Sequence, residues 1–333
     1  MSTGVLVGLF ALAGGVSLRT GWVLVNRLER VGARLGMTEA LLGMLAALAA
    51  DAPEITAAVS AMAAHQSHIG AGVVVGSNVF NLAALLGLGA VVAGRITLHR
   101  RVVLMEGAVA IWIATVCLLV ITGALTAGAG LVLVLAVLLP YGVLLGTPHD
   151  RLSRLRLPRA WTGWIKEAIE ESEVELEVAF HPRRGQTRDV IEAILLTVIV
   201  VGASVAMEQT GARLGTRLHW PESVTGGLVL AAVTSIPNAT AAVYLARRGR
   251  GAATLSTAMN SNALNVAVGL LLPGVIAGIG APTGASTFTA AAYLAVTGLV
   301  LLFASVSAGL RRSQGAVVIL VYAAFVAILL TIA

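Results

Sequence analysis

The sequence predicts an all-α integral membrane protein of ten transmembrane helices, built as two inverted five-helix repeats. Three observations carry this: an apolar composition with few charges, a regular alternation of Lys and Arg between connections, and a gap-free match of the chain to itself. Of 333 residues, 58% are hydrophobic and 11% charged, and the mean hydropathy is +0.92. A soluble domain carries about a quarter charged residues, so most of this surface avoids water. The formal charge of +6 does not call for nucleic acid, because the Arg residues sit in short clusters between apolar runs. That pattern orients a membrane protein. The one cysteine, Cys117, lies in an apolar run, which excludes disulfides and thiolate metal sites, and the six His residues show no metal-ligand spacing. The first apolar run lacks a basic leader and a small-residue cleavage site, so it reads as a retained span.

Crossing about 30 Å of hydrocarbon takes about 20 apolar residues. Ten stretches qualify: 4–26, 38–64, 69–94, 102–122, 125–146, 188–210, 222–246, 252–276, 285–308 and 314–332. The odd-numbered connections hold nineteen of the 22 Lys and Arg residues, and the even-numbered ones hold two, Arg213 and Arg217. Cytoplasmic loops carry the Lys/Arg excess. The odd connections are therefore expected inside the cell membrane and both termini outside. The longest connection, 147–187, is basic at its start and acidic from Glu167 to Glu177, with Trp161 and Trp164 between. It reads either as a solvated cytoplasmic linker or as an interfacial amphipathic segment.

At an offset of 184 residues, Pro53 falls on Pro237, Thr56-Ala57-Ala58-Val59 on Thr240-Ala241-Ala242-Val243, Ser77-Asn78 on Ser261-Asn262, and Asn81 on Asn265. The chain thus divides into a first repeat (1–146), the linker (147–187) and a second repeat (188–333). An odd number of spans per repeat inverts the second copy. Inverted repeats with interrupted helices place their substrate sites near the midplane, at the repeat interface.

Asp51 and Glu54 stand in the middle of the second span, flanked by apolar sequence. Charge at that depth costs a few kcal/mol or more and by default marks an ion pathway. Pro53 removes a backbone donor and frees carbonyl oxygen as ligand, and a spacing of three puts both acids on one helix face. Two such carboxylates suffice to neutralise a divalent ion, and hydroxyl and amide oxygens suit hard cations. The alternative is a carboxylate pair satisfied by Arg19. The matching segment, Thr234-Ser235-Ile236-Pro237-Asn238, keeps the helix-breaking Pro and supplies neutral oxygens. Ser77, Asn78 and Asn81, with Ser261, Asn262 and Asn265, either line the same polar cavity or tie helices together. The expected cation ligands are therefore Asp51, Glu54, Ser77, Asn78, Asn81, Thr234, Ser235, Asn238, Ser261, Asn262 and Asn265. Asp51, Glu54, Asn81 and Asn265 are the foremost metal ligands. Glu208 is expected to reach its interface, Glu106 and Glu192 to be interfacial, and Gly14-Gly15 to mark close helix packing.

These segments resemble the calcium/cation antiporter superfamily, of which sodium/calcium exchangers are a branch. Its hallmark is a Gly-Thr-Ser-x-Pro-Glu-like segment followed by Gly-Ser-Asn-x-Phe-Asn in each inverted repeat. Residues 49–54 (Ala-Ala-Asp-Ala-Pro-Glu) and 76–81 (Gly-Ser-Asn-Val-Phe-Asn) resemble the first copy, and 233–238 with 260–265 the second in diverged form. The resemblance implies that Glu54 is the central ligand shared by Ca²⁺ and a counter-ion, Na⁺ or H⁺, with Ser77, Asn81, Thr234, Ser235 and Ser261 around it. This chain departs in having an amide at Asn238 where the family has an acid, and an acid at Asp51 where it has a hydroxyl. One negative charge has moved between halves.

Three classes of function compete. An antiporter would move Ca²⁺ against Na⁺ or H⁺ through one site, without a bound cofactor, with inorganic cations and the lipid bilayer as partners and no nucleic acid. A passive channel or cation sensor draws on the missing acid at Asn238. An intramembrane enzyme lacks a buried His base and a Ser–His pair.

Overall fold

The computed structural model describes residues 1–35, 47–146, 186–249 and 251–333. The start of the expected second span (38–46) and nearly all of the 147–187 linker, with Trp161, Trp164 and its acidic stretch, lie outside the described residues. The described chain forms α1 (Thr3–Arg34), α2 (Ala52–Ala63), α3 (Ser67–Ala93), α4 (Arg100–Ile121), α5 (Ala127–Gly146) and α6 (Thr187–Arg217). Then follow α7 (Glu222–Thr234), α8 (Ile236–Arg247), α9 (residues 251–277), α10 (Gly284–Ser307) and α11 (Arg312–Ile332). Eight of these helices are long and apolar enough to cross a membrane, and α7 with α8, bent by 44°, make a ninth. Ten is the expectation; of the remaining span, residues 47–64 are described, including α2.

α1 and α6 outrun the spans 4–26 and 188–210, and the reason is polar. They pair antiparallel along their length. Ser17 and Ser204 hydroxyls meet at 2.7 Å in the buried middle. Beyond the apolar stretch, Arg27 reaches Asp189 at 3.0 Å and Glu192 at 2.7 Å, so the helices continue as an ion-paired extension. Asp189 also accepts the Gln186 backbone N–H at 2.7 Å, which fixes where α6 begins. Exposed Val5, Leu12, Ile194, Leu195 and Val198 on these helices suit contact with lipid. Ser17→Ala and Ser204→Ala are expected to cost little, since interhelical polar contacts in membranes average about 0.6 kcal/mol. A double-mutant cycle on thermal unfolding measures it.

The helix breaks are where the Pro residues place them. Asp51 (φ −81°, ψ −6°) precedes α2 and Ser235 (φ −85°, ψ −3°) precedes α8, with Pro53 and Pro237 in the first helical turn. Those two junctions lie 184 residues apart and share one backbone conformation. Each is followed, after Asn81 and at Asn265, by a π-helical turn, Leu82–Leu88 and Asn265–Leu271. A third π-helical turn, Thr225–Leu230, lies inside α7. Such turns widen a helix locally and recur at functional sites.

α3 and α7 cross with backbone against backbone. A Cβ added to Gly76 would come within 2.7 Å of Gly227 Cα, and one on Gly226 within 2.9 Å of Ile69 Cα. Only glycine permits that approach.

One element departs from an all-helical expectation. Arg95–Thr97 (β1) and Gly309–Arg311 (β2) form a two-stranded antiparallel ribbon, Arg95 opposite Arg311. It joins the third and ninth connections, and Arg95 and Arg312 add bonds to the Ser307 and Val91 carbonyls at 3.1 and 3.0 Å. The pair is too short to show in an apolar profile. At the opposite end, Ser67 donates to the Gly278 carbonyl at 3.3 Å, and Arg217 donates to the Met1 carbonyl. Ends of odd connections therefore meet one another, as do ends of even ones. α3, α4, α9 and α10 form the buried centre, and the site lies among α2, α3, α8 and α9.

Candidate cation-binding site

Asp51, Glu54, Ser77, Asn78, Asn81, Thr234, Ser235, Asn238, Ser261, Asn262 and Asn265 are all buried, none more than 1% exposed. The fold gathers residues up to 214 positions apart into one polar cluster inside an apolar bundle. Thr234 stands at its edge, its hydroxyl bonded back to the Leu230 and Ala231 carbonyls at 3.0 and 3.1 Å. Ser77 likewise donates to the Val74 carbonyl at 2.9 Å.

The geometry is reciprocal. The Asn78 amide donates to the Asn262 carbonyl, and the Asn262 amide to the Asn78 carbonyl, both at 3.1 Å. Asn81 donates to Asn262 Oδ1 at 3.2 Å, and Asn265 to Asn78 Oδ1 at 3.3 Å. These bonds tie α3 to α9 at the point where both helices turn π-helical. Amides so held keep a fixed orientation, which a site for a bare ion requires.

Both carboxylates bond across the seam to the second half. Glu54 accepts from the Ser235 hydroxyl on one oxygen and from the Asn265 amide on the other, each at 2.5 Å. Asp51 Oδ1 accepts from Asn238 Nδ2 and from the Ser261 hydroxyl, each at 2.6 Å. Asp51 Oδ2, Asn81 Oδ1 and Asn265 Oδ1 are buried with no hydrogen-bond partner. Orphaned buried acceptors are rare in folded proteins and carry a cost. Here they are all oxygens beside two acids, and a cation or proton satisfies them. Among the described residues no Lys or Arg forms an ion pair with either carboxylate, and there is no cluster of three or more His, Cys, Asp or Glu. The donor set is thus hard oxygen, two of them acidic, with neutral amide and hydroxyl oxygens completing it. That suits Ca²⁺ or Na⁺ rather than a soft transition metal.

The structure excludes one alternative and corrects three expectations. Arg19 does not satisfy the acids: it is exposed, with its guanidinium 5.4 Å from the centre of the Trp22 ring. Glu208 does not reach the interface; it is 1% exposed and accepts from the Ser60 hydroxyl at 2.7 Å. With a hydroxyl facing it from α2, the carboxylate has a partner without reaching water. Glu106 is buried too, because α4 turns that face into the bundle, whereas Glu192 sits in the exposed end of the α1–α6 pair. Of the two glycines, Gly14 packs on Met207 while Gly15 faces open space.

The Glu208–Ser60 pair is one polar contact that sequence reasoning missed. The two residues are 148 positions apart and belong to no repeated motif. A second feature also went unread: a cavity of about 30 Å³ lined by His68, Gly72, Ser223, Thr283, Ser286 and Thr289, room for roughly one water. It lies at the end where even connections meet, and its lining residue Val75 is one turn from Asn78.

Comparison with known proteins bears on this site. The family model described as sodium/calcium exchanger protein matches residues 5–146 and 190–331. Over 146 residues the chain is 28% identical to the sodium/calcium exchanger MaX1 of Methanosarcina acetivorans, a match spanning 44% of this chain and 41% of that protein. Among solved structures, the sodium-calcium exchanger NCX_Mj soaked with Na⁺ and Sr²⁺ aligns with a TM-score of 0.60 and 18% identity. That alignment covers 98% of this chain and 99% of the other. The H⁺/Ca²⁺ exchanger CAX aligns with a TM-score of 0.69 and 12% identity, over 98% and 86% of the two chains. At such identities the structural likeness speaks for the fold alone.

Proposed function

The chain belongs to the sodium/calcium exchanger protein family, within the calcium/cation antiporter superfamily, and from that premise we propose that it is a secondary active antiporter that exchanges Ca²⁺ for Na⁺ or H⁺. The observation that carries the reading is the pair of fully buried carboxylates, Asp51 and Glu54, set at the seam with unpartnered oxygens beside them. Two negative charges in a low-dielectric interior are costly without counter-charge. A site of this kind binds one cation set or another and is not stable empty. Exchange follows: ions that share Glu54 exclude one another, and each crosses only in its own bound state. The ligand set is Asp51, Glu54, Ser77, Asn78, Asn81, Thr234, Ser235, Asn238, Ser261, Asn262 and Asn265, with Pro53 and Pro237 breaking the helices that carry it.

The helix breaks matched at an offset of 184, each followed by a π-helical turn after the Ser-Asn segment, support two inverted five-helix repeats and ten spans. The Lys/Arg distribution supports cytoplasmic odd connections, a cytoplasmic 147–187 linker and external termini. Relatives named for Na⁺ exchange and for H⁺ exchange share the fold, so the counter-ion is a matter for measurement. The sealed site, with every ligand residue buried, favours alternating access over an open pore.

Ca²⁺ uptake into proteoliposomes, driven separately by outward Na⁺ and outward H⁺ gradients, is the test. Uptake that needs one of these gradients is expected. Flux that runs without any counter-ion would replace the antiporter with a channel.

A further inference from the structure

The two halves match in backbone and in contacts but differ in charge. At the repeat offset of 184, Glu54 corresponds to Asn238, and Asp51 to Ser235. The bond from Ser235 to Glu54 at 2.5 Å therefore has a counterpart in the bond between Asp51 and Asn238 at 2.6 Å. In each, one helix break meets the residue just past the other. In the first contact the acid stands three residues beyond its break; in the second the acid is at the break itself, and the residue beyond it is an amide. The acidic group has exchanged sides of the contact. Asp51 then does what Ser235 does not: it takes a second bond from Ser261 at 2.6 Å, on the same oxygen, leaving Oδ2 buried and unpartnered. Its near neighbours Asn238 and Ser261 also bond each other at 3.3 Å.

Resting on the cation-binding reading above, we infer that Asp51 and Asn238 are a charge-exchanged pair. Asp51 lends its carboxylate across the seam to a subsite formed with Asn238 and Ser261. The cavity therefore holds two subsites with one carboxylate each: Glu54 with Ser235 and Asn265, and Asp51 with Asn238 and Ser261. Position constrains charge here. A second carboxylate at 238 would bring acid to within hydrogen-bond distance of Asp51, where two like charges must share a proton. Neutral groups at both positions would leave the second subsite with no charge to hold a cation. One acid across this contact is what a cation needs, and either side of it suffices.

The pair offers a substitution test with almost no change of shape. Asp51→Asn removes the charge while conserving volume. Asp51→Asn with Asn238→Asp moves the charge across 2.6 Å, and the amide at position 51 then donates to the carboxylate at position 238. Binding of Ca²⁺ is read on the purified full-length protein as the Ca²⁺-induced rise in unfolding temperature, titrated to an apparent Kd, beside flux in proteoliposomes. Asp51→Asn is expected to weaken Ca²⁺ at least about tenfold, and the exchanged double variant to recover the parent Kd to within about threefold. If Asp51 only ties α2 to α9, Asp51→Asn will bind Ca²⁺ like the parent, and the inference fails. It fails as well if the double variant stays weak while keeping the parent's ion-free unfolding temperature. Asp51→Ser with Asn238→Asp repeats the test should the first pair prove unstable. A parent that binds Ca²⁺ but exchanges nothing would overturn the antiporter and leave this inference standing. A parent stabilised by no cation would overturn both.

Discussion

Glu54→Gln is expected to abolish exchange. The substitution keeps the length and shape of the side chain and removes one of the two negative charges in the cavity. Both Glu54 oxygens now accept, from Ser235 and from Asn265. A glutamine presents an NH₂ at one of them: the Ser235 hydroxyl can turn to accept it, whereas the Asn265 NH₂ cannot. If that end falls against Asn265, the amide of Asn265 must turn away, and it also loses its hold on Asn78 Oδ1 at 3.3 Å. The reciprocal amide network then loses one arm as well as the charge. Removing one member of a buried charged set costs about 3–5 kcal/mol, which is roughly two to three and a half orders of magnitude in cation affinity. Ion-dependent flux in proteoliposomes is expected to fall to background. The ion-free protein should behave in the opposite sense. With one uncompensated buried charge gone, its unfolding temperature should be equal to or above the parent's, while the rise on adding Ca²⁺ should vanish. Parental transport by this variant would sink the antiporter assignment.

That expectation rests on residues readable in the sequence, and the reason is chemical. A carboxylate or a run of amides in an apolar span is costly enough to stand out without any structure. Repetition at one offset told the Pro, Ser and Asn residues of the site apart from chance polar residues. The parts that were not readable are those where polar cost is hidden or absent. Glu208 reads as an interfacial residue because sequence position gives depth but not the facing helix, and the Ser60 that satisfies it lies on another element. The ion-paired ends of α1 and α6 were missed because an apolar window measures the bilayer, while the helices continue as far as Arg27 can find Asp189 and Glu192. The β1–β2 ribbon is three residues a side and leaves no periodic signature. Backbone crossings are the hardest of all: in a chain with 37 glycines, nothing marks Gly76 and Gly226 as the ones this crossing needs.

Those two glycines carry the second large expected effect. Gly76→Val and Gly226→Val should each prevent the described packing of α3 on α7. A Cβ at 76 meets Gly227 Cα and C at 2.7 Å, and one at 226 meets Ile69 Cα at 2.9 Å. The opposing atoms are backbone, so no rotamer change relieves the clash, and the helices must part. Overpacking where side chains can adjust costs about 1–3 kcal/mol; with backbone on both sides, a cost beyond that range is expected. Function is exposed to the same displacement. Gly76 immediately precedes Ser77 and Asn78, and α7 leads through Thr234 into Ser235, which bonds Glu54. Parting α3 from α7 would shift Asn78 relative to its partner Asn262 on α9, or Ser235 relative to its partner Glu54 on α2, and hydrogen bonds weaken steeply with such displacement. Gly15→Val is the control, since a Cβ there meets nothing within 4 Å. It should match the parent in unfolding temperature and flux. Gly76→Ala, the mildest change, separates the possibilities: if it too unfolds at the parent's temperature and transports normally, the backbone crossing does not set the geometry of the site. If it retains the fold yet loses Ca²⁺ stabilisation, the crossing acts on the ligands through the spacing of the two helices.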